Sequence, residues 1–160
     1  MGHRHKNRSN QSLVRVAPTS LGRGVFAARP IRRHTTIGEI RGTLIRDPSY
    51  SSEYCMDLGG GQALEPHAPF RYVNHSCDPN CEIYFFDGPE DDAERLFLQS
   101  IEDIEPGEQL TIDYGWSAEG AIPCACHSPL CRGWIVSEDD LPRLLANLAA
   151  APNTGDSSAR

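Results

Sequence analysis

Apolar residues fall in short clusters along the chain, and no period is sustained for long. Segments 25–28, 36–46, 81–86, 96–101 and 109–114 are rich in β-branched or aromatic residues and bounded by Gly, Pro or Asp. That pattern predicts many short strands with irregular connections. The period changes only near the end, where Leu141, Leu144, Leu145 and Leu148 recur at helical spacing behind Ser137 and three acids. A capped helix over 137–151, stopped by Pro152, is expected there. Residues 1–12 are polar and basic without apolar periodicity and read as a flexible arm, and 152–160 read as a disordered tail.

With 160 residues the chain can bury one core, so a single domain is expected. No apolar run approaches the roughly 20 residues of a membrane span, and residues 1–10 lack the apolar stretch of a signal peptide. We therefore expect a soluble intracellular protein with no membrane partner, whether from a nucleus or a bacterial cytoplasm. The net charge of -7 hides an asymmetry: residues 1–46 hold ten of the 15 basic residues and one of the 22 acids, Glu39, which leaves five basic and 21 acidic residues beyond. An acidic body disfavours direct nucleic-acid binding and attracts basic partners. The run Glu90, Asp91, Asp92, Glu94 is either a solvated loop or a means of steering a basic peptide.

Three polar segments carry candidate chemistry. Gly22-Arg23-Gly24 lies just before an apolar segment; glycines permit positive φ and close backbone approach to a ligand, although a turn between strands needs the same residues. Arg71-Tyr72-Val73-Asn74-His75-Ser76-Cys77-Asp78-Pro79-Asn80-Cys81 is a dense polar string between strands. Core hydrogen bonding explains His75 and turn formation explains Asn74 and Asn80, but neither explains the string. The third, Glu108 to Trp116, is a strand ending in Asp113, Tyr114 and Gly115.

Six cysteines in an intracellular chain point to metal or reactive thiols before disulfides. Cys124, Cys126 and Cys131 form a C-x-C-x4-C cluster that supplies three thiolates to a tetrahedral Zn2+ and lacks a fourth. Spacing permits either Cys77 or Cys81 in that position. Cys55, and whichever of the pair is left over, then read as packed small hydrophobes. Pairing all six as disulfides is disfavoured by the closeness of Cys124 to Cys126.

Taken in order, Gly22-Arg23-Gly24, Asn74-His75-Ser76-Cys77, Asp113-Tyr114 and the cysteine cluster resemble SET-domain protein lysine methyltransferases with a post-SET zinc segment, over residues 13–135. The resemblance implies a mostly β fold of small sheets with a knot-like threaded C-terminal segment. It divides the chain into a SET domain over 13–116, a post-SET zinc segment over 117–136 and the C-terminal helix. It also implies S-adenosylmethionine as methyl donor, its methionine end lined by backbone of Gly22, Arg23 and Gly24. Asn74 and His75 would hold the cofactor from the other side with Arg71 nearby, and Trp134 would lie near it. Tyr114 matches the catalytic tyrosine, Tyr54 a wall of the lysine channel, and Ile112 a channel position where the family has Phe or Tyr. Cys77 matches the ligand that completes the zinc site with Cys124, Cys126 and Cys131.

The activity so implied is methyl transfer from S-adenosylmethionine to a lysine of a histone or other basic protein, bound as an extended strand. The competing expectation is a non-catalytic, zinc-stabilised SET module that holds basic tails. No cysteine-rich segment precedes Leu13 and the insert between Arg46 and Phe70 is short, so the target lysine and the oligomeric state stay open. Lys6 is the only lysine; codon bias accounts for that, as does a lysine-modifying enzyme that avoids modifying itself.

Overall fold

The computed structural model describes residues 12–86 and 95–150. The basic arm, the acidic run in 87–94 and the tail with Pro152 lie outside the described residues. Within them the chain is mostly β, as the residue pattern predicts, and contacts divide the described residues into two compact units: 12–74 with 79–86 and 95–112, and 75–78 with 113–150. Four residues from the middle of the chain, 75–78, belong to the unit that begins at residue 113.

In the larger unit, β1 (Val14–Thr19) and β2 (Gly22–Ala27) form a hairpin with Thr19 opposite Gly22. Gly22 sits at φ 107, where a side chain is strained. A Cβ on Gly24 would meet the side chains of Gln109 (Nε2) and Thr19 (Cγ2) at 2.8 Å, so a larger residue there would have to push those side chains aside. The β-rich segment 36–46 forms two strands in different sheets, β3 (Thr36–Ile40) and β4 (Gly42–Ile45). They part at Gly42, where any Cβ would strike the Glu65 carbonyl. β5 (Met56–Gly59) and β6 (Gln62–Pro66) were not foreseen from the residue pattern; β6 pairs with both β4 and β5. A 3-10 turn at Phe70–Tyr72 leads into β7 (Asn74–His75).

β8 (Cys81–Phe86) and β9 (Arg95–Ser100) pair in full register, and β9 also pairs with β3. β10 (Gln109–Ile112) ends two residues before the expected Tyr114 and lies between β2 and β7. Val25, Leu98, Ile104 and Leu110 are buried. Buried Ser100 is satisfied locally, its Oγ donating to Arg32 O at 2.7 Å and accepting from Thr35 N at 3.0 Å.

In the smaller unit, β11 (Ile122–Pro123) pairs with β12 (Trp134–Ile135) and closes the cysteine-bearing loop between them. The helix α1 (Leu141–Ala150) begins four residues later than Ser137, which nevertheless caps the turn before it: its Oγ accepts from Asp140 N at 3.3 Å and its carbonyl from Leu141 N at 3.1 Å. Leu144 is buried with Ala118 and Val136, and Leu141 and Trp134 pack on that cluster. Leu145 and Leu148 stay exposed. No helix among the described residues is long and apolar enough to cross a membrane.

Candidate functional site

In the larger unit, the first two motifs meet although 51 residues separate them. Asn74 Nδ2 donates to the Arg23 carbonyl at 3.0 Å, which fixes the carboxamide against the Gly22-Arg23-Gly24 strand. Arg23 lies over the Tyr72 ring, 5.4 Å from its centroid. Tyr72 in turn meets Tyr54 edge to face at 6.2 Å. Arg71 stacks 4.2 Å from the Tyr54 centroid and pairs with Glu65 at 3.5 Å, so its charge is committed to holding that tyrosine. Ile112 ends β10 and is buried, 5 % exposed. Tyr72 joins this group through ring contacts that no spacing in the sequence announces.

In the smaller unit, the Sγ atoms of Cys77, Cys124, Cys126 and Cys131 all lie within 4.8 Å of one another. Four thiolates about 2.3 Å from one Zn2+ at tetrahedral angles stand roughly 3.8 Å apart, and Cys77 Sγ to Cys124 Sγ measures 3.8 Å. All six cysteines are free, so disulfides do not compete. The loop folds this way because Cys124 N donates to Gly133 O and Cys131 N to Ser128 O, with Gly133 at φ 80. Burial pushes the Cys124 thiol up to about 12. Cys126 is held at about 6 against its own burial, by backbone N–H donors and the neighbouring thiols. Thiols this crowded ionise together only around a cation, and the donor set fits Zn2+. Cys81, the other candidate that spacing allowed, belongs to β8; it is 1 % exposed and pushed up to about 12 by burial, an inert core thiol.

His75 lies between this cluster and the tyrosine. Its Nδ1 accepts from Tyr114 N–H at 3.2 Å, which assigns the ring proton to Nε2, 3.3 Å from Cys77 Sγ. Burial pulls its pKa below the usual imidazole value, in keeping with a neutral ring. Both ring nitrogens are thereby committed within the protein. The Tyr114 ring is flanked by His75 and Trp116, each with centroids 5.4 Å away. Trp134, expected near the cofactor, packs on the Ala118, Val136 and Leu144 cluster. Asp113 accepts from Arg132 at 2.7 and 2.8 Å and from Gly115 N at 3.1 Å. This last group escaped the residue-level reading: only the opposite charges of two neighbouring motifs hinted at it.

The family model described as SET domain matches residues 22–115. Among curated proteins, the chain is 32% identical over 159 residues to Histone-lysine N-methyltransferase ash1 of Drosophila melanogaster, covering 88% of this chain and 7% of that protein. It is 34% identical over 131 residues to Histone-lysine N-methyltransferase trr of the same species, covering 71% and 5%. The chain thus spans under a tenth of the length of these relatives. Among solved structures, KRYPTONITE in complex with mCHH DNA, H3(1-15) peptide and SAH superposes with a TM-score of 0.67 at 22% identity, over 76% of this chain and 29% of that one, a likeness of fold. With the domain matched over more than half of its residues, and with the ordered motifs in place, this chain belongs to the SET-domain family.

Proposed function

We propose that the chain transfers a methyl group from S-adenosylmethionine to a lysine side chain of a basic protein. The observation that carries this reading is Tyr114, pinned by its N–H to His75 and by its ring between His75 and Trp116, beside a four-thiol cluster. The names of the relatives, histone-lysine N-methyltransferases, support the reaction class. The KRYPTONITE complex with an H3 peptide supports a basic peptide as substrate.

S-adenosylmethionine supplies an electrophilic methyl carbon on a sulfonium. Backbone of Gly22, Arg23 and Gly24 would hold its methionine end, with Asn74 using the carboxamide oxygen that its bond to Arg23 leaves as an acceptor. The lysine amine must be neutral to attack. A narrow apolar channel, with Tyr54 and Ile112 expected in its wall, would penalise the ammonium form and so favour loss of that proton to solvent. Tyr114 would orient the amine through its hydroxyl dipole, since positioning is the main catalytic demand of such a transfer. Cys77, Cys124, Cys126 and Cys131 would hold one Zn2+ as a structural centre with no open position.

The test is incubation of the zinc-loaded chain with isotopically labelled cofactor and a panel of basic proteins, histones and bacterial basic proteins among them. Label on lysine, reduced about 100-fold or more by Tyr114→Phe with the melting temperature unchanged, is the expected outcome. Binding of basic tails without any transfer would identify the non-catalytic module instead.

A further inference from the structure

Arg132 follows the zinc-type ligand Cys131 directly, yet its side chain serves another residue. Its Nη2 lies 2.8 and 2.7 Å from the two carboxylate oxygens of Asp113, with the side chain only 9 % exposed. The rest of the guanidinium is poorly served: Nη1 is 3.8 Å from Glu138, and buried Nε has no partner among the described residues. Burying a charge with an unpaired donor costs stability, and an apolar side chain of similar volume would avoid that cost. All of the strong bonds of Arg132 go to one carboxylate.

That carboxylate belongs to the residue before Tyr114. Asp113 Oδ1 also accepts from Gly115 N at 3.1 Å, closing a turn around Tyr114, with Gly115 at φ 59. His75, two residues before Cys77, takes the N–H of Tyr114 itself. The turn that presents the tyrosine is therefore gripped twice, each time by a residue one or two positions from a cysteine of the cluster.

We propose that Arg132 is a positioning residue for Tyr114: through Asp113 it locks the 113–115 turn to the cysteine segment, so that ordering of that segment sets the place of the reacting hydroxyl. This rests on the function proposed above. A displacement of the tyrosine by a fraction of an ångström degrades an in-line alignment while leaving the binding of either substrate intact.

Arg132→Gln, Arg132→Lys, Asp113→Asn and the Arg132→Gln/Asp113→Asn double variant would be compared with the parent, all zinc-loaded. Zinc stoichiometry, cofactor Kd by calorimetry, single-turnover rate and amide hydrogen exchange of the peptide containing 113–116 are measured on each. Arg132→Gln and Asp113→Asn should each lower the single-turnover rate about 10- to 100-fold, with cofactor Kd within about twofold of the parent. The double variant should be no worse than the poorer single, because both remove one shared interaction. Arg132→Lys should recover part of the rate, since the grip is made by a single nitrogen that an ammonium can replace. Exchange at 113–116 should quicken about tenfold in the Gln and Asn variants and elsewhere stay unchanged.

Unchanged rate and exchange in Asp113→Asn would overturn the proposal, as would additive losses in the double variant. So would an Arg132→Gln defect confined to lost zinc, with Asp113→Asn behaving as the parent. If the parent itself transfers no methyl, the reading in the preceding section fails on its own, and the exchange measurement still decides whether Arg132 orders the turn.

Discussion

The carboxamide of Asn74 donates to the backbone carbonyl of Arg23 at 3.0 Å, joining two motifs that lie 51 residues apart. Asn74→Ala removes that donor and leaves the carbonyl to water. A loss of about 1 kcal/mol in unfolding free energy is expected, the net worth of one such bond. Under the proposed function, cofactor affinity falls by more than the stability does, because the acceptor oxygen is lost as well. Denaturant unfolding and calorimetry on the same preparation check both; unaltered affinity would remove Asn74 from the cofactor site.

The cysteine assignment separates two residues four positions apart. Zinc content should fall from about one per chain to near zero in Cys77→Ser, because three thiolates do not close a structural site. Cys81→Ser should keep its zinc, since that thiol is a core group of β8. Elemental analysis of the two variants decides; the reverse pattern would overturn the ligand set.

Acid stability should carry the signature of Glu39. Arg95 and Arg41 donate to its two oxygens at 2.8 and 2.9 Å and hold its carboxyl at about 2, against an ordinary 4.5. A depressed carboxyl stabilises the fold fully above pH 4.5 and loses that contribution as pH falls toward 2, since the unfolded chain takes up the proton first. Glu39→Gln should therefore flatten the decline of stability with falling pH in that window. Equilibrium unfolding at a series of pH values measures it, and superimposable curves for both proteins would refute the assignment.

Ile112 bears on the number of methyls added. In place of the Phe or Tyr of the resemblance it has no hydroxyl to hold a water near the amine, and it is smaller than either ring. Dimethyl or trimethyl lysine should therefore accumulate with excess cofactor, and Ile112→Tyr should shift the distribution toward monomethyl by restoring a hydroxyl that holds a water near the amine. Mass spectrometry over a full time course reads this directly. A parent reaction that stops at monomethyl would exclude Ile112 as the determinant.

Much of the molecule was written in local chemistry. β8, β9 and β10 announce themselves by β-branched and aromatic residues between turn formers, and the leucines of α1 by their period, because those signals depend on neighbours within a few positions. Cys124, Cys126 and Cys131 likewise define most of a zinc site by spacing alone. The sequence could not supply β5 and β6, whose residues Met56–Gly59 and Gln62–Pro66 are polar or glycine-bearing and become strands only by pairing. Nor could it split 36–46 at Gly42, where the obstacle is a carbonyl 23 residues away. Spacing left Cys77 and Cys81 equal, and the resemblance favoured Cys77; the burial of Cys81 in β8, the commitment of the His75 ring to Tyr114 and Cys77, and the pairing of Arg132 with Asp113 needed the tertiary structure. Each depends on where side chains point once the fold is made, and spacing along one dimension carries no information about that until the backbone has been fixed by its own hydrogen bonds and packing.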